Sequence, residues 1–239
     1  MNKFKFLVLV IICTISKVNA QQTIFNVPSA TVTEKNIIFL QHESQFRPWN
    51  PDSFWLGTHY SAIGIGYNTE LDATLFNVGA PNTHNITLGI GFKSALPIKK
   101  LDEIFKGREL KFTVGSEVLV SLVGNGLGNW TYCHFSGRLP KINTRLTGGI
   151  SVGSKQVFGN ENVSFIAGLE QPITNKFAII GDWYSGTDHY AGYLILGISY
   201  KLPQNTNLYL GFQIPNDNMV GQTGFVVEIS KLIPLKKTS

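Results

Sequence analysis

From residue 36 onward, large apolar side chains fall on every second position in run after run. In HNITLGIGFKSALP, Ile86, Leu88, Ile90 and Phe92 share one face, while Asn85, Thr87, Gly89, Gly91 and Lys93 share the other. ELKFTVGSEVLVSL repeats the pattern, with Leu110, Phe112, Val114, Val118 and Val120 against Lys111, Thr113, Gly115, Glu117 and Ser121. YAGYLILGISYKL and NTNLYLGFQI do the same with Leu194, Leu196 and Ile198, then with Leu208, Leu210, Phe212 and Ile214. A period of two marks a strand. The pattern predicts twelve of them, at 36–46, 57–67, 70–78, 85–95, 109–122, 129–139, 142–153, 162–171, 175–184, 190–201, 206–215 and 222–233.

Turn chemistry sets how the strands connect. Turn-exit segments NTEL, GREL, NTRL, TNKF and NTNL deliver Leu71, Leu110, Leu146, Phe177 and Leu208, at steps of 39, 36, 31 and 31 residues. Two membrane strands of about 9–11 residues with a turn and a short loop come to roughly 30, so each step is one hairpin. Pro97, Pro140, Pro172 and Pro203 fall at strand ends, where the missing N–H costs no ladder bond. These turns share one rim. The loops of the other rim are expected near 47–56, 79–84, 123–128, 154–161, 185–189 and 216–221, and PIKKLDEIFKG is the one helix candidate.

Composition decides what the apolar face meets. Charged residues are 15% of the chain, against about 25% in ordinary soluble domains. A soluble barrel would bury its apolar face and cover its exterior with charge. Here the polar face is mostly Gly, Ser, Thr and Asn, which suits a crowded wet lumen with the apolar face in lipid. The N-terminus, MNKFKFLVLVIICTISKVNA, has the basic start, short apolar run and small-residue end of a secretory signal peptide cut after Ala20. Removing Lys3, Lys5 and Lys17 lowers the net charge from +5 to +2, so the basic balance does not point to nucleic acid. Cys133 is then the one cysteine left, which excludes an internal disulfide or a cysteine zinc site. The expected organisation is a signal peptide at 1–20, an N-terminal periplasmic segment at 21–35, a barrel at 36–233 and a tail at 234–239.

In its signal, hairpin period, turn chemistry and aromatic placement the chain resembles the small bacterial outer-membrane β-barrels, which are porin-like proteins. Trp49, Trp55, Trp130 and Trp183 fall at one end of the strands, and Tyr67 and Tyr200 at the other, as interfacial girdles would. The resemblance implies an all-β, transmembrane, antiparallel up-and-down barrel of about twelve strands in the outer membrane of a Gram-negative bacterium, with both termini periplasmic. It also implies outer-membrane lipids, lipopolysaccharide, the assembly machinery and small polar solutes as partners, with no nucleic acid and no cofactor. The terminal FVVEISKLIPLKKTS departs from the class, whose last strand usually closes on an aromatic residue.

Function follows from the inward residues. Glu43, Asp72, Lys93, Lys111, Glu117, Arg138, Arg145, Glu170, Asp182, Lys201 and Glu228 carry the charges of the polar face. Lys93, Lys111, Glu117, Arg138, Arg145, Glu170, Lys201 and Glu228 are taken as lining a pore, with Arg138 and Arg145 helping to set selectivity. Inward Gly89, Gly91, Gly115, Gly149, Gly197 and Gly211 leave room for water, and no long loop is available as a plug. This points to a narrow passage for small polar solutes, or else to a structural barrel filled by ion pairs. The alternative is an outer-membrane lipid hydrolase of the phospholipase or lipid A deacylase type, which uses an H-x-S pair on the lipid face. HYSA places His59 and Ser61 outward in that way, whereas HFSG places His134 inward. The five histidines lack metal-ligand spacing, and no metal is expected.

Overall fold

The computed structural model describes residues 23–49, 54–78, 86–105, 108–124, 126–155, 162–186, 192–219 and 221–235. The expected signal peptide and the end of the tail lie outside the described residues. Twelve strands follow in chain order: β1 (Ile37–Arg47), β2 (Phe54–Gly66), β3 (Thr69–Val78), β4 (Thr87–Pro97), β5 (Lys111–Ser121), β6 (Leu127–Arg138), β7 (Arg145–Gly153), β8 (Val163–Pro172), β9 (Phe177–Tyr184), β10 (Tyr193–Leu202), β11 (Thr206–Pro215) and β12 (Gly224–Pro234). Each pairs antiparallel with its sequence neighbours, and β1 pairs with β12 to close the barrel. The expected all-β up-and-down barrel is therefore what the chain forms. Among the described residues no helix is long and apolar enough to cross a membrane.

The tight turns all lie on one rim, together with the start of β1 and the end of β12. Tyr67 and Asn68 both take positive φ (55° and 56°), as a two-residue hairpin turn between right-twisted strands requires. Gln204 and Asn205 do the same (60° and 56°) after Pro203. The β4–β5 link carries the short helix α1 (Lys99–Ile104). We call this the terminal rim and the opposite end the loop rim.

Faces alternate as the sequence predicts. Ile90, Leu210, Leu196 and Phe165 are exposed on the outside, whereas Lys93, Glu117 and Arg145 on the opposite parity are buried within. Exposed apolar residues recur on every strand, whereas soluble monomers rarely expose contiguous apolar patches larger than a few hundred Å². Trp130 is the exception among the tryptophans expected in a girdle. Even positions of β6 face inward, as buried Tyr132, His134 and Ser136 do, so Trp130 enters the lumen and donates from Nε1 to Ser151 Oγ (2.7 Å). Trp183 does face outward, bonded to Asn216 Oδ1 (3.0 Å).

The outer face gives the first test. Arg in place of Leu210, near mid-strand, should lower folding stability in lipid by about 2–4 kcal/mol, and Arg at Ile233 beside the rim by about 0–1 kcal/mol. Denaturant titration of vesicle-folded variants measures both, and equal costs would mean that the outer face does not meet lipid.

Candidate functional site: the lumen and its N-terminal strap

The stretch expected as a periplasmic segment runs, over its described part, inside the barrel. Ile24, Phe25, Val27, Ser29 and Ala30 are each at most 1% exposed. These residues form a strap that leaves the start of β1, passes Gly64 and turns back on itself in the lumen. The turn is closed by Ile24 N–H to Val27 O (2.8 Å) and a Thr23–Pro28 bridge. A strap without a sheet partner must find acceptors for its buried N–H groups elsewhere. The Asp182 carboxylate supplies them, with Oδ2 accepting from Phe25 N (2.9 Å) and Val27 N (2.6 Å). Glu70 accepts from Thr33 N (2.5 Å), Lys111 Nζ donates to Ala30 O (2.9 Å), and Tyr184 OH donates to Asn26 O (3.2 Å).

The wall is shaped to receive this strap. Ile24, Phe25 and Val27 pack with Ile166, Ala178, Ile180, Ile195 and Val226, so the apolar part of the lumen lies along β8–β12. Gly197 and Gly211 sit directly opposite one another in register. A Cβ on either would come within 2.7 Å of Phe25 Cζ. A Cβ on Gly168 would overlap Ile24 Cδ1. Full burial of each of Ile24, Phe25 and Val27 contributes about 1.5–3 kcal/mol.

Opposite the strap, along β1–β6, a cavity of about 520 Å³ remains. Thr23, Phe25, Asn26 and Pro28 bound it on one side, and its lining reaches the loop rim at Ser121, Gly124 and Gly126. Its wall mixes aromatic rings (Tyr60, Trp130, Tyr132) with the carboxyl groups of Glu43, Asp72 and Glu117. Glycine does not enlarge it as expected. Gly91 lies under Glu117, whose Cγ would sit 2.8 Å from an added Cβ, and the ring of Tyr132 covers Gly115.

The residues taken as pore-lining divide into three groups. Lys93 and Glu117 border the cavity. Lys93 is ion-paired with Glu70 (3.0 Å), the acceptor of the strap's Thr33, so it acts on the strap through that carboxylate. Lys111 and Glu228 also serve the strap: Lys111 directly, and Glu228 by accepting from Gln41 Nε2 (3.0 Å), which reaches Thr23 Oγ1 (3.2 Å). Arg138, Arg145, Glu170 and Lys201 gather near the terminal rim, away from the cavity lining. There Glu109 Oε2 receives both Arg138 Nε (2.8 Å) and Arg145 Nη2 (2.6 Å). Partial burial would raise the Glu109 pKa, but the two guanidinium groups outweigh that and hold it below the usual carboxylate value. The stabilisation this clamp gives is therefore present above the unfolded pKa and is lost as pH falls through the folded one.

His59 and Ser61 have separate partners. Ser61 Oγ donates to Ala73 O (3.1 Å), and His59 Nδ1 faces His42 Nδ1 at 3.3 Å. The His–Ser contact on this outer face is between His42 Nε2 and Ser44 Oγ (2.9 Å), at mid-height of β1. No carboxylate or amide among the described residues bonds to either imidazole, so this cluster lacks the third, orienting group of a hydrolytic site.

Comparison with solved structures bears on the fold. The chain is similar to the KdgM porin, at a TM-score of 0.55 and 11% identity over 82% of this chain and 98% of the porin. The same porin in complex with disordered oligogalacturonate gives a TM-score of 0.55 at 10% identity, again over 82% and 98%. The outer membrane protein Omp33 of Acinetobacter baumannii aligns at a TM-score of 0.46 and 9% identity, over 83% and 99%. No family model matches the chain, and no curated protein matches it in sequence. The fold is thus that of the porin-type outer-membrane barrels, and nothing in these likenesses favours a hydrolase.

The strap's anchor gives the second test. Asp182→Ala leaves the N–H groups of buried Phe25 and Val27 without their acceptor, at about 1–3 kcal/mol for each donor left unpaired. The strap should then become protease-accessible in a barrel that still migrates as folded, with Asp182→Asn in between. Equal protection of the strap in all three proteins would show that Asp182 does not hold it.

Proposed function

We propose that the protein is a porin-like passage of the bacterial outer membrane, inserted by the outer-membrane assembly machinery after removal of residues 1–20. It admits small polar solutes from the loop rim, and the strap forms the constriction. The single observation behind this reading is the cavity of about 520 Å³ within a closed twelve-stranded barrel, bounded on one side by the strap. Twelve strands enclose more space than the eight of barrels that side chains fill, and less than the 16–18 that leave an aqueous channel. The strap takes up much of that space. In a barrel so divided, passage depends on whether the strap leaves a path or moves aside. Strands surrounded by lipid and closed on themselves leave no unpaired backbone edge in the membrane, which is the condition for a spanning sheet. The start of β1 and the end of β12 then lie on the periplasmic side, with the tight turns.

The KdgM porin is described in complex with an oligogalacturonate. The passage proposed here is for small polar solutes as a class. The competing reading, a structural barrel without conduction, predicts a different result from the same experiment.

Planar-bilayer recording of the mature protein and of a variant lacking residues 23–31 separates the two. The passage reading expects small conductance steps from the mature protein and steps several-fold larger without the strap. A truncated barrel that folds and inserts but conducts no better would rule the strap out as the constriction. Silence from both proteins would favour the structural barrel.

A further inference from the structure

We infer that the cavity is a binding site for organic cations, meaning solutes that carry a primary amine or guanidinium group. The inference rests on the passage reading for its physiological sense but not for its chemistry. Glu43 on β1, Asp72 on β3 and Glu117 on β5 bring three carboxyl groups to one cavity, and each is less than 10% exposed. Asp72 Oδ1, Glu117 Oε2 and Gln41 Oε1 have no hydrogen-bond partner in the protein. All three are acceptors on residues that line the cavity, so the complementary ligand is a donor. Glu117 is already held in place, because Thr74 Oγ1 donates to its other oxygen (2.9 Å) and leaves Oε2 directed elsewhere. A buried acceptor without a donor is costly, more so when charged, and a ligand N–H would relieve that cost.

The cations near the cavity are occupied. Lys93 is paired with Glu70 (3.0 Å), and the Arg47 guanidinium lies over the Tyr193 ring at 5.3 Å. Tyr60, Trp130 and Tyr132 present aromatic faces of the kind that attract cations within about 6 Å of a ring centroid. The volume of about 520 Å³ falls in the range of small-molecule sites, about 300–1,000 Å³. An acidic sugar would instead meet three carboxyl groups.

Trp130 provides an intrinsic reporter. Fluorescence titration and calorimetry on the detergent-folded full mature chain would compare arginine and spermidine with glucose and galacturonate. Arginine or spermidine should bind at least tenfold more tightly than either sugar. Asp72→Asn with Glu117→Gln should weaken that binding at least tenfold, and Glu103→Gln on the exposed α1 should leave it unchanged. Heat-modifiable migration checks that each variant is folded, and the single Glu117→Gln change, which can still accept from Thr74, serves if the double variant is not. Galacturonate binding more tightly than the amines, no saturable binding of any probe, or amine affinity indifferent to Glu117→Gln in a folded barrel would each overturn the inference. Because binding is read without a bilayer, a barrel that conducts but binds no amine loses this inference alone. One that binds amines but never conducts loses the passage alone.

Discussion

One carboxylate inside the barrel governs how its lumen is divided. Asp182 accepts from two successive alternate N–H groups of the strap, Phe25 and Val27. Without such an acceptor the strap's backbone would be buried with donors unpaired, and water at the rim would be its better environment. Apolar packing alone would not fix its position, because hydrophobic attraction is non-directional. Direction comes from the hydrogen bonds at three heights: Asp182 at the turn, Lys111 at Ala30, and Glu70 at Thr33. Register with the wall comes from shape, since the Gly197–Gly211 pair receives one ring and Gly168 one isoleucine.

This arrangement explains the charge distribution inside. Lys93 and Glu70 are both almost completely buried, a costly position for two ions unless each is paired and further bonded. Glu70 meets that condition through Lys93, the Thr33 N–H and Tyr60 OH (3.1 Å). The ion pair therefore fixes the strap near the point where it joins β1, at the border of the cavity. Arg138 and Arg145 sit where β6 and β7 reach the terminal rim and share one carboxylate there. They tie neighbouring hairpins together.

The barrel was legible in the sequence because its signal is local. Period two and prolines at strand ends are each visible within about ten residues, hairpin spacing within one repeat of 31–39 residues, and together they predicted twelve strands to within a few residues at each end. The lumen's contents were not legible, because they depend on contacts across the whole chain. Asp182 meets the strap across 155 and 157 residues of sequence. TIFNVPSATV has no alternation, and Pro28 interrupts it, so nothing in its pattern assigns it to a sheet. A trace was present even so: Ile24, Phe25 and Val27 form an apolar group that a solvated tail has no reason to carry. Trp130 shows the same limit, since parity places it correctly while its position near a strand end suggested a girdle. For His59 and Ser61, sharing a face brought them onto one side of β2 without making them partners.

The two sides of the lumen follow from opposite packing rules. Along β8–β12 the strap packs with Ile166, Ile180 and Ile195 into an apolar core, in which the Asp182 carboxylate is the strap's acceptor. Along β1–β6 the cavity wall carries the amide of Gln41, the carboxyls of Glu43, Asp72 and Glu117 and the phenols of Tyr60 and Tyr132, which an apolar strap would cover only by stranding them. The strap's apolar side chains lie against the first wall and its backbone reaches the second through Glu70 and Lys111, so the space left is bordered mainly by the polar wall. The cavity is therefore not a defect in filling. It is what remains when one half of a lumen is built as a core and the other half as a wet wall, and its chemistry is that of β1–β6.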